Sequence, residues 1–282
     1  MATFFDQHRL LPATYSFAFG SRVKASIEGL DMDEVASAYL RPHPYCRLPE
    51  LSDPKAPSEY RTEDYRSRLR RFSSLLVSWF DLSASLVVNR LANEVSNTSK
   101  LYQQILIEAA GFKVPDSLAT TDPLAARAFV EKHQSVIYKS LSGIRSIVRR
   151  LPASEMKRLE NVVSCPTLFQ AHIPGIDYRA HVVGDRVFAC QLMSGHDDYR
   201  YDPRAIACAA TLPSRISERC VQLAHSLQLP LVGIDLRRTE EGEWFCFEAN
   251  PSPGFTAFDR AGEISEAVAD LLVHADSRVV HP

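Results

Sequence analysis

The stretch "LVGIDLRRTEEGEWFCFEANPSPGF", Leu231 to Phe255, constrains the fold more than any other part of the chain. Two apolar, β-branched and aromatic runs flank Glu241-Gly242, which is the pattern of two strands joined by a tight turn. Pro251 and Pro253 then end the second run, because neither ring can donate to a ladder. Folding the stretch about its tip sets Asp235 opposite Glu248 and Gly233 opposite Asn250. Side chains alternate across a strand, so Asp235, Arg237, Glu248 and Asn250 are expected on one face. Ile234, Leu236, Phe245, Phe247 and Ala249 are expected on the other, against the core.

Two carboxylates directly opposed on a sheet repel unless a positive group sits between them. A magnesium ion would serve, since it takes hard oxygen ligands and commonly uses one or two carboxylates together with nucleotide phosphates. Arg237 on the same face is the competing partner, in an ion network with no metal. The strand spacing alone leaves both open. Gly233, at the start of an apolar strand, marks a place where another backbone or a ligand comes close. The site would then sit at a strand end beside a loop, where ligands are usually bound.

The remaining sequence excludes several classes. A net charge of −2 argues against nucleic acid as partner, since neutralising phosphates needs a surplus of Lys and Arg. No run of eighteen apolar residues exists, so no membrane span is expected. The start, "MATFFDQHRLLPATYSF", lacks a basic segment followed by an apolar core, and no secretory signal is expected. The six cysteines are scattered without a CxxC spacing and the nine histidines without metal-ligand spacing. Both patterns fit reduced thiols in a cytoplasmic protein.

Residues 41–60 hold five prolines and read as a loop, and "TEDYRSRLRRFSSLLVSWFDL" as a helix with Tyr65, Leu69, Phe72, Leu76 and Phe80 on its apolar face. "SLVVN" is a short strand ending at Asn89, and "KLYQQILIEAAG" a helix begun by Thr98 or Ser99 and closed by Gly111. "DPLAARAFVEKH" is a helix with Pro123 in its first turn, "SVIYKS" a strand, and "LSGIRS" a loop. The last third alternates hairpins with two helices, "PSRISERCVQLAHSLQL" and "EISEAVADLLVHA". The fold class expected is α+β (α/β), with antiparallel pairing towards the C-terminus.

"GIDLR" followed by "WFCFEANPSPGF" resembles the magnesium segment of the ATP-grasp superfamily, nearest its RimK-type and peptide-modifying ligases. Further pieces follow in the family's order. Asn89 and Lys100 resemble the entry to the ATP-binding region, "AGFKVPDSLATTDP" the stretch after it, and "VIYKSLSG" the strand carrying a second lysine. "FQAHIPGIDYRAHVVGDRVFA" is similar to the adenine hinge followed by an Asp-x-Arg hairpin. The likeness covers about residues 86–260, and the ordered set with both lysines is far more specific than any one piece.

The resemblance implies an ATP-grasp fold in which two α+β subdomains hold a nucleotide. Residues 1–85 would form a short N-terminal region, 86–165 the small subdomain, and 166–282 the large one. It further implies that Asp235, Glu248 and Asn250 hold one or two Mg2+ ions. Lys100 and Lys139 would meet the ATP phosphates, with Ser142 and Gly143 in the covering loop. Gln170 and Ile173 would line the adenine pocket, beside Asp177. Arg179, Arg200 and Arg237 would serve the transferred phosphate or the substrate carboxylate. The implied activity activates a carboxylate with ATP as an acylphosphate and joins it to an amine or hydroxyl of an amino acid, peptide or precursor peptide.

Two other readings stay open. Ala171-His172 stands where many relatives carry an acid or amide, and the N-terminal region matches poorly. Both features fit a catalytically inactive nucleotide-binding scaffold. A kinase outcome, phosphorylating a hydroxyl, uses the same site. Relatives of this type are often homo-oligomers, and no interface signature is visible in the chain.

Overall fold

A computed structural model describes the chain except residues 1, 4–10, 12–13, 22, 42–47, 49–50, 142–147, 196–198, 200–201, 203, 260 and 276–282. It forms two compact units, one running to Ala92 and taking in the segment from Asp270, the other spanning Asn93–Ala269. The first unit therefore reaches past residue 85, because the strand read from "SLVVN" pairs within it.

In that first unit β1 (Tyr15–Phe19), β2 (Val23–Ile27) and β3 (Leu30–Asp31) make an antiparallel sheet. β4 (Ser37–Tyr39) pairs in parallel with β5 (Leu86–Val88). Between them runs α1 (Glu63–Leu82), begun by Thr62, whose hydroxyl accepts from the Tyr65 N–H. Its buried side chains are Tyr65, Leu69, Phe72 and Trp79. Phe72 and Trp79 pack on Ala25, Ile27 and Met32 of the small sheet and its following turn. Trp79 thus takes a central place that the sequence reading did not assign it.

The second unit carries two sheets. The smaller has the order β6-β9-β7-β8, from β6 (Ser117–Thr120), β7 (Val136–Ser140), β8 (Arg149–Arg150) and β9 (Thr167–Ala171). β9 pairs antiparallel with both β6 and β7. The divide between the sheets therefore falls after Ala171 rather than at residue 165. The outer face of this sheet is closed by α3 (Pro123–His133) and a 3-10 segment, Ala153–Ser164, through Ala126, Leu159, Val162, Val136 and Phe169. Asp122 caps α3 by accepting from Leu124 N–H, with Pro123 where no donor is needed.

The larger sheet is wholly antiparallel, in the order β12-β11-β10-β13-β14. Its strands are β10 (Ile176–Val183), β11 (Arg186–Met193), β12 (Ile206–Ala210), β13 (Leu231–Arg238) and β14 (Trp244–Asn250). One face is dry. Ala180, Val182, Val232, Ile234, Leu236, Cys246 and Ala249 pack there against Ile107 of α2 (Lys100–Ala109) and Ile216, Cys220 and Leu223 of α4 (Ser214–Ser226). Truncating a fully buried Leu or Ile here to Ala would cost about 2–5 kcal/mol. Burial also pushes the Cys220 thiol up to about 12 and the Cys246 thiol well above its ordinary value. A last helix, α5 (Glu263–Val273), follows β14.

The hairpin register agrees with the sequence reading at the Asp235–Glu248 end and departs from it towards the tip. Asp235 faces Glu248 and Gly233 faces Asn250, but Leu236 faces Cys246. The pairing shifts there by one residue, a bulge that leaves Phe247 without a partner on β13. The alternation of faces is therefore reversed between Cys246 and the strand's start. Cys246 is fully buried in the core, while Phe247 lines a cleft on the opposite side. Phe245 and Phe247 were expected on the core face; Trp244 and Cys246 pack there instead.

Candidate functional site

The second face of the large sheet is polar, and its register arranges it in rows. Asp177 lies beside Arg237, Arg179 beside Asp235 and then Glu248, and His181 beside Gly233 and then Asn250. Cross-strand neighbours on one face are about 4.5–5.5 Å apart at Cβ, so each row is a chain of contacts.

Arg237 clasps Asp177 with two bonds, Nε to Oδ1 at 2.6 Å and Nη2 to Oδ2 at 2.8 Å. Its remaining Nη1 donates to the Ile173 carbonyl at 2.8 Å. The guanidinium also stands 5.2 Å from the Phe247 ring centroid. Arg237 is thus spent on the hinge between the two sheets. It is not the counter-ion of the opposed carboxylates, which the sequence reading had left open.

That part is taken by Arg179. Its side chain is 5% exposed and donates from Nη1 to Asp235 Oδ1 at 2.6 Å. Burial disfavours the guanidinium's charge, but Asp235, with Tyr199 and Glu248, holds its pKa above the ordinary arginine value. To reach Asp235 the guanidinium crosses over Gly233. A Cβ at that position would lie 2.1 Å from Arg179 Nη2 and 2.8 Å from Pro253 Cβ. The close approach expected at Gly233 is therefore made by an arginine and a proline of the protein itself. Gly175, at φ +155°, serves the hinge in the same way, since a Cβ there would meet the Arg238 carbonyl at 2.4 Å.

One cleft gathers most of the expected residues. Its walls include Lys100 at the start of α2, Lys139 of β7, Gln170, Ile173, Asp177, Asp235, Arg237 and Glu248. Gln170 is almost fully buried, donates to Ser117 Oγ at 3.1 Å, and has the Lys139 ammonium 3.5 Å from its Oε1. Asn250 and Arg179 stand outside the lining. Asn250 Oδ1 accepts from Ser252 N–H at 2.9 Å, turning the chain at "NPSP". Ser142, Gly143 and Arg200 lie outside the described residues.

Tyr199 and Phe247 also line the cleft, and neither was read as a site residue from the sequence; His172, noted there as a departure beside Ala171, lines it as well. The Tyr199 hydroxyl is 3.4 Å from Asp235 Oδ1. Phe247 was legible only through the bulge, and Tyr199 sits in a polar stretch, "GHDDYRYDPR", that carries no periodic signal.

A divalent cation fits this donor set. Asp235 keeps Oδ2 clear of the Arg179 bond, which uses Oδ1. Among the described residues, no hydrogen bond or ion pair engages the Glu248 carboxylate. Two hard oxygen donors, one of them without a hydrogen-bond partner among the described residues, face a cleft with two lysines, a donor set of the kind a small cation shares with phosphate. They fall short of an all-protein cage. No group of three or more His, Cys, Asp or Glu suited to holding a metal occurs among the described residues.

Residues 97–272 match the RimK-like ATP-grasp domain. The chain is 30% identical over 119 residues to beta-citrylglutamate synthase B of Homo sapiens, a match covering 38% of this chain and 31% of that protein. It is 31% identical over 109 residues to a probable alpha-L-glutamate ligase of Xylella fastidiosa (strain M12), covering 38% and 35%. The matched part thus spans about a third of these curated relatives. Among solved structures, the ATP-grasp ligase PsnB complexed with minimal precursor, Mg and ADP superposes with a TM-score of 0.75 at 26% identity, over 96% of this chain and 88% of that one. With its antiparallel sheets and a domain match over more than half its length, the chain belongs to the RimK-like ATP-grasp family.

Proposed function

We propose that the chain is an ATP- and magnesium-dependent ligase that joins a carboxylate to an amine. The observation that carries this reading is the single cleft holding Lys100 and Lys139 from one side and Asp235 and Glu248 from the other. Lysines are compact point charges suited to phosphate oxygens. The two carboxylates suit the cation that accompanies a nucleotide, and Mg2+ when bound would neutralise charge on the phosphates.

In this reading a substrate carboxylate oxygen attacks the terminal phosphorus of ATP, giving an acylphosphate and ADP. An amine then attacks the acyl carbon, the C–O bond to phosphate breaks, and the amine proton is released to solvent. The protein's contribution is positioning and charge. Lys100 and Lys139 would hold the phosphates. Asp235 and Glu248 would hold the cation, with Asn250 one row beyond them. Arg179 would fix the rotamer of Asp235 from beneath, and Arg237 would fix the hinge at Ile173 through Asp177. Gln170 and the hinge backbone would border the adenine. The Ser142–Gly143 segment and Arg200 retain the roles the family resemblance implies, in covering the phosphates and holding the transferring group.

PsnB is described in complex with precursor peptides, and the curated relatives are named as a citrylglutamate synthase and a glutamate ligase. The substrate class proposed is accordingly amino acids and peptides, with glutamate among the candidates on either side of the new bond. No described helix is long and apolar enough to cross a membrane.

The test is a screen of acidic amino acids and peptides with ATP, Mg2+ and amine acceptors, following ADP, free phosphate and product mass. Carboxylate-dependent ADP release with a product one water lighter than its two substrates is expected. ADP release that ignores both substrates counts against the reading. A stable phosphorylated product would assign a kinase instead.

A further inference from the structure

Strand β14 is the outer edge of the large sheet, so half of its backbone groups have no strand neighbour. Two surrogates occupy that edge. The Lys113 carbonyl accepts from the Cys246 N–H at 2.9 Å. Gln103 of α2, 4% exposed, takes both groups of Ala249. Its Nε2 donates to the Ala249 carbonyl at 2.9 Å, and its Oε1 accepts from the Ala249 N–H at 3.1 Å.

These contacts are three residues apart, whereas an unbroken strand turns outward groups to one edge every second residue. The bulge at Phe247 accounts for the extra residue. Gln103 therefore grips the strand on the far side of the bulge, at the residue between Glu248 and Asn250. A slip of one residue there would turn Ala249 towards the cleft and Glu248 into the core. Lys100 lies one turn earlier on the same helix, so the grip also joins the strand of the carboxylates to the helix of a phosphate-facing lysine.

We propose that Gln103 is a positioning residue for the metal–phosphate centre. Its amide locks the bulged register of β14 that presents Glu248 to the cleft, and ties that strand to the helix carrying Lys100. This rests on the ligase reading above. A carboxamide is required because it offers a donor and an acceptor side by side. Glutamate would keep the acceptor for Ala249 N–H and lose the donor; methionine would keep the length and lose both.

The test titrates ADP into the full chain by calorimetry, with and without Mg2+, for wild type, Gln103→Met, Gln103→Glu and Leu223→Ala. Leu223 is buried in the core away from the cleft, so its variant reports what lowered stability alone does. Gln103→Met is expected to weaken magnesium-dependent ADP binding by about tenfold and metal-free binding by less than about twofold, with Gln103→Glu between it and wild type. Leu223→Ala is expected to lower the Tm and leave the magnesium dependence unchanged. Hydrogen exchange at the Ala249 amide, slow in wild type, should become fast in Gln103→Met. Should Gln103→Met fail to fold, Gln103→Glu must show the metal-selective loss by itself. Equal weakening with and without metal, binding like wild type, or an Ala249 amide that stays protected would overturn the proposal. Wild type binding ADP with no magnesium dependence would overturn the ligase reading itself, and the proposal with it.

Discussion

Arg179 of β10 and Asp235 of β13 are cross-strand neighbours joined by a 2.6 Å bond, with the arginine side chain 5% and the aspartate 23% exposed. One member of the pair is sealed beneath the sheet face and the other opens to the cleft. In the proposed site Asp235 would thereby have two tasks, as counter-ion to a buried cation and as a donor to the metal, whereas Glu248 would have only the second.

The two carboxylates should therefore separate when stability and activity are measured on the same variants. Asp235→Ala leaves a buried guanidinium unpaired and is expected to cost about 3–5 kcal/mol in urea denaturation. Glu248→Gln removes a carboxylate with no direct partner and should change stability by less than about 0.5 kcal/mol. Both should abolish magnesium-dependent ligation. Equal destabilisation by the two would show that the Arg179 bond does not carry the charge balance described.

Gly233→Ala places a methyl on the guanidinium of Arg179, with the Pro253 ring on its other side. Overpacking of this kind costs about 1–3 kcal/mol. Activity should fall further than stability, because Arg179 is pushed off Asp235. Gly233→Ala combined with Arg179→Ala should be milder than the sum of the single changes, as expected for residues in direct contact.

His181 supplies a pH signature. It is 1% exposed, its Nε2 has no partner among the described residues, and Phe258 packs on its ring. Burial first, and Arg179 second, bring its pKa down from 6.5 to about 3, against a smaller upward pull from Asp259. The folded pKa is below the unfolded one, so the unfolded chain takes up this proton first as the pH falls. The contribution is complete above pH 6.5 and is lost as the pH drops towards 3. The stability difference between wild type and His181→Leu, followed by urea melts from pH 7.5 to 4, should therefore move in the variant's favour at low pH. A difference constant with pH would mean that His181 titrates alike in both states.

Arg237→Lys keeps the charge and loses the two-pronged grip on Asp177 together with the bond to the Ile173 carbonyl. Hydrogen bonds to charged groups contribute about 1.5–3 kcal/mol each to stability, so urea denaturation should show a loss of that order, and the KM for ATP should rise through the displaced Ile173 carbonyl. The magnesium concentration for half-maximal rate should stay near that of wild type, since Asp235 and Glu248 are untouched. A shift in the metal requirement instead would place Arg237 at the carboxylates.

The chain's own pattern determined the hairpin, its Asp235–Glu248 and Gly233–Asn250 registers, the helices and the α+β class. Each of these rests on local chemistry, in strand alternation, helical spacing and turn residues, whereas Ser99, expected with Thr98 to cap α2, stands at the cap position without a side-chain bond to the helix. The strands "YSFAF" and "VKASI" show the same alternation on either side of Gly20-Ser21.

What only the tertiary structure decided depends on neighbours distant along the chain. The bulge at Phe247 exchanges the faces of four residues, and no local signal marks it. Two arginines on adjacent strands offer two acids each a choice, and only the packed sheet assigns Arg179 to Asp235 and Arg237 to Asp177. Gln103 is an ordinary helix residue until β14 is found at the sheet edge, with one pair of backbone groups that a strand would have satisfied. Periodicity carries the faces of an element, whereas partners are selected by the geometry that brings elements separated by tens of residues into contact.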